Sequence, residues 1–125
     1  MRIVYVEDNP ANLALVRRVA RLGRHEVDGY AAGEDALDAL VEDTPDLILI
    51  DIQLSGVMTG LDLISALRER GVSVPMVAVT AYAMLGDRER CLAAGFADYL
   101  AKPLPVSDLI ALFDRYSTDM ATATV

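Results

Sequence analysis

Chemically useful groups stand at the ends of four short apolar runs in this chain. Glu7 and Asp8 follow R-I-V-Y-V, Asp51 follows L-I-L-I, Thr80 follows P-M-V-A-V, and Lys102 follows A-D-Y-L-A. Any one of them is ordinary, since a carboxylate after a strand often does no more than cap the next turn. Together they describe a site, provided the fold brings the run ends to one place. Three carboxylates crowded together repel one another and need a cation; a hard divalent ion such as Mg²⁺, bound through oxygens with several waters retained, suits so few protein ligands. A hydroxyl and an ammonium are donors able to hold the oxygens of a phosphoryl group. The set points to metal-assisted phosphoryl chemistry.

The elements that must position these groups are legible as punctuation. Arg2 to Val6 reads as a β-branched and aromatic strand, and Asn9-Pro10 ends it and opens a helix with an apolar stripe at Leu13, Val16, Val19 and Ala20, stopped at Gly23. His25 to Ala31 is a weaker strand suited to a sheet edge, followed by a helix over Glu34 to Glu42 with Ala36, Leu37, Leu40 and Val41 inward. The unbroken run Leu47 to Ile50, between Pro45 and Asp51, suits a strand buried on both faces. A loop with Gly56 and Gly60 leads to a helix from Leu61 to Arg70 that buries Leu61, Ile64 and Leu67 and stops at Gly71. Pro75 to Thr80 is a second buried strand, Leu85 to Ala94 a helix capped by Gly95, and Ala97 to Ala101 a short fifth strand. The last helix carries Val106, Leu109, Ile110 and Phe113 inward, and from Ser117 onward the small polar residues read as frayed.

Five strands alternating with five helices imply an α/β fold with parallel strands, right-handed crossovers and three layers around a doubly wound sheet. Parallel strands present their carboxyl ends at one edge, which is where Glu7, Asp8, Asp51, Thr80 and Lys102 would meet. The 125 residues fit one domain, and the sequence holds no repeat or linker. A single cysteine, Cys91, rules out an internal disulfide and suits a reducing compartment. A formal charge of −8 argues against binding a nucleic-acid backbone, which needs clustered Lys and Arg. No stretch reaches the ~18 consecutive apolar residues of a membrane span. Met1 runs straight into the first strand without a signal-peptide layout, so a cytoplasmic location and a natural N-terminal start are expected.

Four motifs give the chain a strong resemblance to the receiver domain of bacterial response regulators, the CheY-like, flavodoxin-like family. They are E-D-N-P-x-N at Glu7 to Asn12, D-L-I-L-I-D-I-Q-L at Asp46 to Leu54, V-T-A-Y-A at Val79 to Ala83, and D-Y-L-A-K-P at Asp98 to Pro103. The resemblance runs from Arg2 to Tyr116, and implies strand order 2-1-3-4-5, a receiver domain over residues 1–117 and a tail over 118–125. It implies that Asp51 is the phosphoacceptor, taking a phosphoryl group from a phosphohistidine of a sensor kinase or phosphotransferase. Glu7, Asp8, Asp51 and the backbone carbonyl of Gln53 would hold Mg²⁺, or Mn²⁺ in its place, with Glu7 acting through water. Lys102, the Thr80 hydroxyl and the Ala81 N–H would bind phosphoryl oxygens. Thr80 and Tyr99 would form the switch pair, Gln53 and Tyr82 would tune hydrolysis of the acyl phosphate, and the Lys102-Pro103 bond would be cis.

On this reading the chain is a binding module rather than a turnover enzyme, and catalyses only its own phosphorylation and dephosphorylation. The surface of the fourth helix, fifth strand and fifth helix would carry the output to a downstream protein or to a second copy. One departure stands out: the family places a proline four residues after the phosphoacceptor and a glycine eight after, whereas here Ser55 and a glycine nine after, Gly60, make the loop one residue longer. Other readings remain: a receiver domain cut from a longer regulator or hybrid kinase, a receiver that has become a fixed platform, or a phosphatase of the haloacid-dehalogenase type. The last needs a second aspartate two residues after the nucleophile, where this chain has Gln53. His25, far from the four strand ends, is expected to be an ordinary strand or surface residue, and Cys91 a small core residue.

Overall fold

The computed structural model describes residues 1–54, 56–81 and 87–123. Five strands, β1 (Arg2–Val6), β2 (Glu26–Tyr30), β3 (Leu47–Asp51), β4 (Met76–Thr80) and β5 (Asp98–Ala101), alternate with five helices. These are α1 (Pro10–Leu22), α2 (Gly33–Glu42), α3 (Gly60–Glu69), α4 (Asp87–Ala93) and α5 (Val106–Ala123). All pairings are parallel and the sheet runs β2-β1-β3-β4-β5, the expected order. The chain steps outward from β1 to β2 and then crosses back to β3, so the crossover direction reverses between β1 and β3. Ligand sites of open α/β sheets lie at the carboxyl ends of strands at such a reversal.

Period-2 alternation sends successive strand residues to opposite faces, and two cores result. Val4, Val6, Ile48, Ile50, Met76 and Ala78 pack under α2, α3 and α4, while Ile3, Tyr5, Leu47, Leu49, Val77 and Val79 pack under α1 and α5. Every residue of β3 and of β4 is buried, as continuous apolar runs in a covered parallel sheet require. β2 has exposed Glu26 and Asp28 among half-buried Val27, Gly29 and Tyr30 and lies at the sheet edge, as its looser alternation suggests.

The helix boundaries reflect local chemistry. Asn9 caps α1, its side chain accepting from the N–H groups of Ala11 and Asn12, with Pro10 in the first turn. Thr59 and Asp62 form a reciprocal capping box at the start of α3. Val41, Leu61, Val106 and Ile110, expected to face inward, are 37%, 42%, 46% and 40% exposed. Each lies on the rim of its stripe, and Leu40, Leu63 with Ile64, and Leu109 take the inward positions. α1 ends at Leu22 with Gly23 as its C-cap, as read from the sequence, but the left-handed turn falls one residue later. Gly23 has an ordinary φ of −95°, and the left-handed residue is Arg24 at φ 62°. α5 continues to Ala123, beyond Ser117 where fraying is expected; that segment lacks Gly and Pro, so nothing in it breaks a helix.

Candidate functional site

At the carboxyl edge of the sheet the ends of β1, β3, β4 and β5 converge on Asp51. This side chain is 2% exposed, and its oxygens have distinct partners: Oδ1 accepts from the Gln53 N–H at 2.9 Å and Oδ2 from Lys102 Nζ at 3.1 Å. Lys102 arrives from the end of β5, where its own N–H donates to the Thr80 carbonyl at 2.7 Å, and its peptide bond to Pro103 is cis. The same ammonium lies 2.8 Å from Glu7 Oε2. Burial works against the charge on Lys102, but hydrogen bonds to Glu7 and Asp51 and the charges of both outweigh it, raising the ammonium above its ordinary value of 10.5.

Glu7 is also 2% exposed and fully engaged. Its Oε2 accepts from the Tyr5 hydroxyl at 2.7 Å as well as from Lys102, and its Oε1 accepts from the Asn9 N–H at 3.1 Å. A tyrosine in the core thus reaches the rim of the site from below. Burial, followed by the hydrogen bond and charge of Glu7, pushes its hydroxyl far above the usual 10.0, so Tyr5 stays a donor. Asp8, one residue on, is exposed. One carboxylate oxygen from each of Glu7, Asp8 and Asp51 lies within 4.8 Å of the others. Hard oxygen donors so arranged fit a divalent cation, with Asp8 and Asp51 nearest to solvent or shared with a lysine, and Glu7 already tied to Tyr5 and Asn9.

β3 reaches the site because α3 starts against it without a side chain in the way. A Cβ on Gly60 would sit 2.5 Å from the Asp51 carbonyl oxygen and 2.8 Å from the Ile52 Cα. The longer loop between them is tied to α2: the Met58 N–H donates to Glu34 Oε1 at 2.7 Å, and Met58 packs over Gly33. Its tip, Val57, is 92% exposed. Ser55 lies outside the described residues.

Thr80, 3% exposed, and Ala81 occupy the end of β4, and the Gln53 side chain connects them. Its Nε2 donates to Thr80 Oγ1 at 2.8 Å and its Oε1 accepts from the Ala81 N–H at 3.2 Å. Ala78 pairs with Tyr99 and Thr80 with Ala101, so Thr80 and Tyr99 are diagonal neighbours across β4 and β5. Tyr99 is half-buried against the core under α2, α3 and α4. Tyr82, the remaining residue singled out from the sequence, lies outside the described residues. Glu7, Asp8, Asp51, Gln53, Thr80, Ala81 and Lys102 meet at this edge, and Tyr99 lies two residues before the end of β5, beside Ala78.

The model of the response regulator receiver domain matches residues 3–114. The chain belongs to the response regulator receiver domain family. It is 39% identical over 119 residues to the polar-differentiation response regulator DivK of Brucella ovis, covering 94% of this chain and 96% of that protein. It is 38% identical, with 92% and 95% of the two chains covered and a TM-score of 0.80, to the receiver domain of a sensor histidine kinase of Pseudomonas aeruginosa, whose crystal structure has a magnesium ion coordinated in its active-site cleft. The receiver domain of a LuxO repressor from Vibrio parahaemolyticus has the same fold, with a TM-score of 0.89 at 20% identity. The receiver is a CheY-like signalling domain of two-component systems rather than an enzyme of the usual kind. No helix among the described residues is long and apolar enough to cross a membrane.

Two features of this receiver site escape sequence reasoning. Tyr5 reads as one more member of the β1 run, although its spacing of two from Glu7 places both on one face and could have shown the link. The Gln53 bridge leaves no trace in residue spacing, because it depends on where a turn residue points its side chain.

Proposed function

We propose that this receiver accepts a phosphoryl group on Asp51 from a phosphohistidine of a sensor kinase or histidine phosphotransferase, and passes a changed surface to a protein partner. The observation that carries this reading is the placing of a buried Asp51 carboxylate 3.1 Å from Lys102 and within 4.8 Å of the oxygens of Glu7 and Asp8. An Asp51 oxygen would form the bond to phosphorus while the phosphorus–nitrogen bond breaks and its electron pair returns to the imidazole. Transfer of this kind asks a protein for positioning and charge neutralisation. A Mg²⁺ ion held by Asp8, Asp51, the Gln53 carbonyl and, through water, Glu7 would supply most of the neutralisation, and Mn²⁺ would serve similarly. Lys102 would move from its resting pairs onto a phosphoryl oxygen, with Thr80 and Ala81 donating to the others.

The output would use Thr80 and Tyr99. A Thr80 hydroxyl drawn toward the phosphoryl group would leave space on the face it shares with the ring, and Tyr99, its diagonal neighbour, would enter it. The phosphoryl group then biases two arrangements of α4, β5 and α5 by no more than its differential interaction with them. That surface would bind a downstream protein or a second copy of this chain. Gln53 and Tyr82 would set how fast water reaches the acyl phosphate.

The deciding experiment is labelling with acetyl phosphate in Mg²⁺, followed by phosphotransfer from the histidine kinases and phosphotransferases of the source cell. Wild type should be labelled and Asp51→Asn should not. Equal labelling of both proteins, or of neither, overturns the assignment.

A further inference from the structure

We infer that the Gln53 carboxamide is a built-in competitor of the phosphoryl group, occupying Thr80 and Ala81 in the resting receiver and setting how readily the site is captured. The inference rests on the phosphoacceptor reading of Asp51 and concerns the state before transfer, not the rate at which water later removes the group.

The geometry is specific. The Gln53 N–H is fixed on Asp51 Oδ1 at 2.9 Å, which roots the side chain beside the reacting carboxylate. From there the carboxamide spans both groups beyond the end of β4, donating to Thr80 Oγ1 at 2.8 Å and accepting from the Ala81 N–H at 3.2 Å. The orientation of the amide follows from chemistry: Ala81 N–H can only donate, so the carbonyl oxygen must face it and the NH₂ must face Thr80. A phosphoryl oxygen needs the same Ala81 proton, and both cannot have it in good geometry.

Gln53 Nε2 donates to Thr80 Oγ1 at the same time, so the carboxamide is anchored at both of its polar atoms. Capture of a phosphoryl oxygen by the Ala81 N–H therefore requires Gln53 to swing out. Gln53 is exposed, so it has room to leave, while Thr80 is buried and must stay. Because Thr80 and Tyr99 are diagonal neighbours, the same bridge braces the switch pair in its resting arrangement. Gln53 is thus a positioning residue that acts through Thr80 and Ala81.

The test uses beryllofluoride, a stable stand-in for the phosphoryl group, titrated at saturating Mg²⁺ into wild type, Gln53→Ala and Gln53→Met. Methionine keeps the bulk and loses both hydrogen bonds. Two hydrogen bonds at a partly solvated site predict binding about three- to thirtyfold tighter in both variants. The Ala81 amide resonance should also shift in each variant before any beryllofluoride is added. Wild type that binds beryllofluoride, with both variants no tighter and the Ala81 resonance unmoved, overturns the competitor while leaving the phosphoacceptor reading intact. Wild type that binds none overturns both.

Discussion

At the scale of single residues, Asp51, Asp8, Thr80 and Lys102 are legible in the sequence because each closes an apolar run. A reader who sees buried strands also sees where they must surface. The partners of those residues are less legible, since hydrogen bonds between side chains depend on rotamers that no spacing encodes. Glu7 is the instructive case. Its type suits a metal site, yet the structure ties it to Tyr5, Asn9 and Lys102, and the Tyr5 bond reaches it from within the core. Tyr5→Phe removes one donor from a buried carboxylate that keeps two others, so it should lower unfolding free energy by about 1–2 kcal/mol, measured by urea denaturation without Mg²⁺. A change below a few tenths would show that the hydroxyl contributes no net stability.

At the scale of elements, Gly, Pro and caps mark the boundaries to within about a residue, while the expected start of α4 at Leu85 lies outside the described residues. α3 and α4 end with Gly71 and Gly95 in left-handed geometry, whereas α1 ends with Arg24 there. In α1 the His25 N–H returns to the Ala20 carbonyl at 2.9 Å and the Arg24 N–H to Arg21, the double bond pattern of a left-handed cap. A Cβ in that region costs about 1–2 kcal/mol. Arg24→Gly should therefore stabilise the fold by about 0.5–1 kcal/mol, the rest being lost to greater freedom of the unfolded chain; thermal melts would read it as a higher midpoint. Gly60→Ala should do the reverse. Its Cβ would meet the Asp51 carbonyl and the Ile52 Cα, both backbone, so β3 or α3 must shift, at a cost of about 1–3 kcal/mol with weakened beryllofluoride binding. An alanine variant as stable as wild type would show that α3 can retreat freely.

The junction of α1, β2 and α5 predicts a pH effect. His25 Nδ1 lies 3.0 Å from the Met1 ammonium, and the ring meets Phe113 edge-on with centroids 5.9 Å apart. Burial and then the Met1 charge lower its titration below the ordinary 6.5, with Asp114 opposing. A proton is thus bound more weakly in the folded state than in the unfolded one. The stability this group contributes is complete above pH 6.5 and is lost as pH falls below it. His25→Gln should lose less thermal stability than wild type between pH 7.5 and 5.5, and an equal loss in both would remove His25 from the account.

At the scale of the whole molecule, alternation and the handedness of crossovers imply parallel strands in three layers and the family resemblance implies their order, and that order sets the acidic residues of β1 and β3 side by side at the reversal point. The consequence can be tested without any phosphoryl donor. Magnesium bound to the native site and not to the unfolded chain stabilises the fold by RT ln(1 + [Mg²⁺]/Kd), about 1.4 kcal/mol at ten times Kd. A chain of net charge −8 gains some stability from any salt, because screening relieves self-repulsion. The site-specific part is therefore the difference between MgCl₂ and NaCl at matched ionic strength, and it should fall sharply in Asp8→Asn. That variant removes a negative charge from an exposed carboxylate without touching the bonds that Tyr5, Asn9 and Lys102 make to Glu7 and Asp51. Measured against its own melt in NaCl, it should show a smaller rise in MgCl₂ than wild type. If both proteins rise equally, magnesium acts on the charge of the whole surface, and the carboxylates at the end of the sheet do not form its site.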